Sequence, residues 1–213
     1  MEKLDYKKAY KELYQPKTVP GVIDVPEMTF IQVDGQGDPN EPGGEYQRAV
    51  EILYALSYAI KMAPKSGPAP EGYLEYVVPP LEGQWWQEGI HGVDYTRKDK
   101  FCWTAMFRQP VFVNEQVYAA AVETVTRKKP QIDVAKARLV TFTEGLCVQC
   151  MHIGSYDDEP ATVEKMNSYI AEQGLVCDLS DARKHHEIYL SDPRKSEIAK
   201  LKTIVRHPVR KAD

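Results

Sequence analysis

The chain has 213 residues, 43% hydrophobic and 10% aromatic, enough to bury a sizeable core in one large domain or two small ones. A net charge of −4 and a pI of about 5.8 argue against a nucleic-acid binder, which normally shows a basic excess or a basic stripe. No apolar stretch approaches the roughly 20 residues that span a bilayer, Met1–Tyr6 carries no secretory apolar segment, and four cysteines are too few for a disulfide scaffold, so a cytoplasmic protein with free thiols and no membrane partner is expected.

In chain order, a helical or irregular arm precedes a strand at about Met28–Val33 and the turn Gly35-Gln36-Gly37-Asp38-Pro39-Asn40. From Glu45 to Met62 the apolar positions Ala49, Ile52, Leu53, Leu56, Ala59 and Ile60 recur at helical spacing, and Pro64 with Lys65-Ser66-Gly67-Pro68 ends the pattern. Strands are expected at about Tyr73–Val78 and Lys100–Arg108, separated by a segment containing Pro80-Leu81-Glu82-Gly83-Gln84-Trp85-Trp86. Asn114–Lys129 reads as a crossover helix with Val117, Ala120, Ala121 and Val125 on its apolar stripe.

The order then repeats. Strands at about Leu139–Thr143 and Leu146–Ile153 lead to a helix over Thr162–Gln173, and two further strands end at Ser191-Asp192-Pro193. The first repeat spans about 28–110, the crossover helix about 114–129, and the second repeat about 138–193, all within a single domain over 1–213. After Arg194, basic residues interleave with Ile198, Leu201, Ile204 and Val205 in the manner of an amphipathic helix over about 194–206 with a solvated basic face. Neither β-α-β-β unit can bury its sheet alone, so the pair predicts one α+β domain with pseudo-twofold symmetry. Its sheet is antiparallel, with helices on one face and a central ligand groove.

One residue in this plan is out of character. In His185-His186-Glu187-Ile188-Tyr189-Leu190 the strand alternation puts His185, Glu187 and Tyr189 on one face, and His186, Ile188 and Leu190 on the other. Taking the apolar side as the core side makes Glu187 look away from the core and from the helices, where it could line a pocket or pair with a cation across the sheet. Aligning Gln109-Pro110 with Asp192-Pro193 makes Thr104 its symmetry mate. The pair Cys147 and Cys150 has C-x-x-C spacing but no second pair at zinc spacing, and Gly35-Gln36-Gly37 lacks the third glycine of a dinucleotide fingerprint, so neither metal nor cofactor is expected.

Four stretches together resemble the GyrI-like small-molecule-binding proteins: Val33–Asn40, Pro80–Trp86, His152–Tyr156 and His186–Pro193. The resemblance covers nearly the whole chain and implies the same tandem β-α-β-β fold. It also implies that Glu187, on the last strand, faces cationic or electrophilic aromatic ligands. Stand-alone relatives with the Leu-Glu-Gly-x-Trp-Trp stretch are similar to cyclopropanoid cyclopropyl hydrolases of bacteria, which open the strained ring of DNA-alkylating toxins with water and so detoxify them. No helix-turn-helix is read before or after the repeat, which speaks against the regulator branch of the family.

On this reading Glu187 is the general base and Tyr189 hydrogen-bonds the substrate carbonyl or positions water. Trp85, Trp86, Tyr73 and Met106 are candidate flat walls, with Thr104 and His185 adjoining the site and one tryptophan of the pair expected in the core. The alternative is non-catalytic binding, sequestration or sensing of cationic aromatic drugs, with Glu187 as a counter-charge.

Overall fold

The computed structural model describes residues 3–90 and 92–212. Two short helices, α1 (Tyr6–Ala9) and α2 (Lys11–Tyr14), precede the long strand β1 (Gly21–Gln36) and helix α3 (Glu45–Met62). Strands β2 (Leu81–Trp86) and β3 (Cys102–Arg108) complete the first unit, and α4 (Glu115–Lys128) crosses to the second. The second unit comprises β4 (Ala137–Ile153), α5 (Glu159–Glu172), β5 (Leu175–Cys177), β6 (His185–Tyr189) and β7 (Lys202–Lys211). No helix among the described residues is long and apolar enough to cross a membrane.

The strand pairs are antiparallel and run in the order β4-β1-β3-β2-β6-β7, with a further β4–β7 pairing that closes the sheet into a barrel; β5 is appended to β7. The β1–β3 pairing recurs as β4–β7, and β2–β3 recurs as β6–β7. The two β-α-β-β units therefore meet at β1·β4 and β2·β6, as expected of pseudo-twofold halves.

Three expectations are corrected by this topology. Residues 73–78 form no strand; Tyr76 makes one isolated bridge to Leu4, and the strand begins only after Pro79-Pro80, which cannot donate to a ladder. The segment expected as a C-terminal helix over 194–206 contains a short 3₁₀ turn and then strand β7, because Thr203, Ile204, Val205 and Val209 are β-branched and Pro208 would break a helix. With β7 as the counterpart of β3, β6 is the counterpart of β2, so Thr104 is not the symmetry mate of Glu187. Glu187 instead pairs directly with Gly83 across the junction.

Closure also buries both faces of the sheet. Glu187 pairs with Val205, which packs with Met166 and Ile170 of α5, while Trp85 and Trp103, on the same face, pack against Tyr46 of α3. Glu187 thus lies on the face covered by helices, not on the face away from them.

The opposite face encloses a charged network. Arg206, 1% exposed, donates Nη1 to Glu144 Oε2 at 2.9 Å and Nη2 to Gln149 Oε1 at 3.0 Å and to the Leu13 carbonyl at 3.2 Å. His186 stands 3.0 Å from both Glu82 Oε2 and Glu144 Oε1, and Tyr14 donates to Glu82 at 3.2 Å, so α2 is tied to the network by its last residues. Burial pushes the Glu144 pKa up, but His186 and Arg206 bring it down to about 2. Burial pushes His186 down, but Glu144 and Glu82 carry it up to about 9.

The sign of the pH dependence follows. A histidine raised from 6.5 to about 9 contributes stability that is fully present below about 6.5 and is lost as pH rises through about 9. The melting temperature followed by circular dichroism should fall between those limits, and His186→Gln should flatten that part of the curve. Glu144→Gln should cost about 3–5 kcal/mol in chemical denaturation, because it leaves buried cations without their shared carboxylate.

Candidate active site

A cavity of about 650 Å³ opens between the first-unit and second-unit elements, and Glu187 and Tyr189 of β6 line it together with Trp85 of β2, Tyr46 of α3, Phe101, Tyr95 and Tyr156. Glu187 is 8% exposed there. Trp85 stacks at an angle on Tyr46, with ring centroids 5.3 Å apart, and meets Phe101 edge to face at 5.6 Å, giving a wall of large apolar area and few rotors.

The backbone of β2 makes this arrangement possible at Gly83. A side chain there would put its Cβ 2.8 Å from Trp85 Nε1 and 3.1 Å from the Tyr189 hydroxyl, within the space the two groups use for their own contact. Trp85 Nε1 donates to Tyr189 Oη at 2.8 Å, and Tyr189 lines the cavity together with Glu187. Burial first, and then the Glu187 carboxylate, keep the Tyr189 pKa well above the ordinary range, so Tyr189 remains a hydrogen-bond donor.

Behind Glu187 is a second carboxylate. Glu159, the fully buried first residue of α5, accepts the Tyr95 hydroxyl at 2.6 Å, where the positive end of the helix dipole favours an anion. His185 Nε2 lies 3.2 Å from Glu159 Oε1 and 3.1 Å from Glu187 Oε1, and His185 Nδ1 lies 2.7 Å from His207 Nε2. Burial alone would lower the His185 pKa, but Glu159 and Glu187 carry it up to about 10. Burial and the neighbouring His185 push His207 down to about 3. Glu187 is raised, by burial first and then by Glu159, against the opposing pull of His185 and Tyr189.

Donor atoms of Glu159, His185 and Glu187 lie within 4.8 Å of one another, close enough to be weighed as a metal site. Their contacts through His185 Nε2 have hydrogen-bond lengths, so a proton on that nitrogen can link the two carboxylates.

Of the residues singled out from the sequence, Glu187, Tyr189 and Trp85 line the cavity and His185 lies directly behind it. The others are elsewhere. Trp86 faces the other side of β2, with the Lys184 ammonium 4.6 Å from its ring centroid. Tyr73 donates to the Lys61 carbonyl and packs on Phe112. Thr104 donates to Asp34 Oδ1 at 2.6 Å, and Met106 is fully buried beside Gln32. Both belong to the opposite face of β3 from Trp103. Glu159, Tyr46, Tyr95, Tyr156 and His207 were not singled out; Glu159 in Asp157-Asp158-Glu159-Pro160 reads as part of a loop ahead of the helix expected from Thr162.

Comparison with known proteins gives a consistent picture. The family model of the GyrI-like small molecule binding domain matches residues 19–210. A hydrolase from Listeria innocua, solved by crystallography, is 46% identical, with a TM-score of 0.89, over 98% of this chain and 100% of that chain. An uncharacterized conserved protein from Listeria innocua is 49% identical, with a TM-score of 0.93, over 98% of this chain and 100% of that chain. The EcmrR C-terminal domain, 12% identical with a TM-score of 0.55 over 91% of this chain and 98% of that domain, shares the fold. A search of curated proteins gives no match.

Gly83→Ala should separate Trp85 from Tyr189. The expected signs are loss of the downfield indole proton resonance of Trp85 and destabilisation of about 1–3 kcal/mol by chemical denaturation. An unchanged resonance would mean that β2 yields instead.

Proposed function

The chain belongs to the GyrI-like small-molecule-binding family, and on that premise we propose that it hydrolyses the strained cyclopropane of planar aromatic alkylating toxins in the cavity above Glu187, and so detoxifies them. The observation that carries this reading is a buried carboxylate of raised basicity opening into an aromatic-walled cavity beside a hydroxyl donor. The Listeria protein called a hydrolase, 46% identical over 98% of this chain, supports the reaction class.

The chemistry asks little of the protein. A cyclopropane conjugated to a dienone is already electrophilic. Water attacks a ring carbon and forms a C–O bond while the ring C–C bond breaks, and its electron pair makes the dienone an aromatic phenolate. Glu187 takes the proton released by water, and the phenolate then takes up a proton to give the phenol. Tyr189 stabilises the developing oxyanion or orients the water, and Trp85 stacks on the planar ligand. A cation-sequestering site would be better served by an unpaired carboxylate, whereas Glu187 is 3.1 Å from His185.

Glu187→Gln should retain ligand binding, followed by quenching of tryptophan fluorescence, and slow turnover of a cyclopropane-containing alkylator by a factor on the order of 10²–10⁴. Ring-opened product in excess of protein, seen by mass spectrometry, is the expected wild-type result. Wild-type binding without product would favour sequestration, and a Glu187→Gln enzyme of undiminished rate would remove Glu187 from the role of base.

A further inference from the structure

We propose that Glu159 is a positioning residue for Glu187, acting through His185: the three side chains share one proton behind the cavity, and Glu159 supplies the counter-charge that lets Glu187 accept a proton. His185 Nε2 is within hydrogen-bond distance of two carboxylate oxygens, at 3.1 and 3.2 Å, and three bare acceptors would repel one another without a proton between them. On the other side of the ring, His185 Nδ1 and His207 Nε2 are 2.7 Å apart, so one proton lies between them. Burial and the neighbouring His185 hold His207 down to about 3, while the two carboxylates carry His185 up to about 10, so that proton belongs to His185, which has a donor at each nitrogen and is a cation.

That assignment explains why a second carboxylate is needed. If Glu187 were alone with His185, protonating Glu187 would leave a buried cation without its partner, at a cost of several kcal/mol. With Glu159 present, the proton on His185 shifts toward Glu159 as Glu187 becomes neutral. The cluster then goes from a net charge of −1 to 0 while the substrate oxygen goes from 0 to −1. Glu159 is suited to hold this place. It is fully buried, does not line the cavity, is fixed by Tyr95 at 2.6 Å, and keeps its second oxygen buried and without a partner.

The groups facing Glu187 from neighbouring elements do not compete for the proton. Tyr46 of α3, Tyr95 of the loop before β3, Tyr156 of the turn before α5 and Tyr189 of β6 are all raised, by burial first, and His207 of β7 is neutral. Glu187 and His185 are what remain to titrate.

The test is a carboxyl carbon-13 NMR titration of Glu187 in the full-length wild type and in Glu159→Gln and His185→Gln, with circular dichroism to verify folding. Removing the Glu159 charge should move the Glu187 midpoint to lower pH, and removing the His185 charge should move it to higher pH, each by on the order of one unit. Where turnover is measured, the acid limb of kcat/KM should follow the same displacements, and Glu159→Gln should lower the plateau kcat roughly tenfold. A merely structural role for Glu159 would lower the melting temperature and leave the midpoint in place. Should His185→Gln not fold, the Glu159→Gln arm decides alone: a downward shift supports the inference, and no shift or an upward one overturns it. The kinetic arm rests on the hydrolytic reading and the titration does not, so midpoints that move as expected without any product would refute that reading and leave the proton-sharing assignment standing.

Discussion

Strand β6 carries ionisable side chains on both faces of a sheet that is buried on both sides, and much of the molecule is arranged around that fact. His186 points into the closed barrel and His185 and Glu187 point outward beneath the helices. Each histidine is flanked by two carboxylates: Glu82 and Glu144 inside, Glu159 and Glu187 outside. A buried cation without such partners would destabilise the fold by several kcal/mol, so the carboxylates of β2, β4 and α5 are what allow both histidines of β6 to be buried. The pseudo-twofold repeat accomplishes this by bringing β2 alongside β6 at the junction of the halves.

The two clusters have similar chemistry and different access. Inside, Arg206, Gln149 and Tyr14 extend the hydrogen bonding, and the N-terminal helices sit against it. That network is committed to structure. Outside, Glu187 meets a cavity lined by Trp85, Tyr46 and Phe101, so one carboxylate of the group is available to a ligand. Gly83, opposite Glu187, keeps the junction open enough for the Trp85–Tyr189 contact.

The helices were legible in the sequence because their ends are punctuated: α3 begins after Gly43-Gly44 and runs into Pro64, and the observed Glu45–Met62 coincides with the expected span. Strand alternation also carried through, since it separates Trp85 from Trp86 and unites Glu187 with Tyr189. What it could not supply was the number of strands. Basic residues interleaved with apolar ones after Arg194 read as a solvated helix, and no local pattern reveals that Arg206 is buried against Glu144. With β7 missing, the repeat was aligned one strand out of place. That displacement brought Thr104 and Met106 into the expected site, although both are on the opposite face of β3 from Trp103. Tyr73 entered through a strand that Pro79-Pro80 delays until Leu81. Glu159 carried no local signal because its role depends on where α5 docks.

The corrected symmetry also explains how the site divides between the halves. At the β2·β6 junction the first unit supplies the aromatic wall of Trp85, Tyr46 and Phe101 and the bare backbone of Gly83. The second unit supplies Glu187, His185 and Glu159, two carboxylates within hydrogen-bond reach of one imidazole nitrogen. A duplicated fold places equivalent strands side by side but does not require equivalent side chains. Putting the aromatic surface on one copy and the proton-handling groups on the other avoids facing like charges across the axis, where two buried carboxylates without an intervening cation would repel. His185 is that intervening cation, placed on the same strand as Glu187 and reached by Glu159 only because α5 docks over β6.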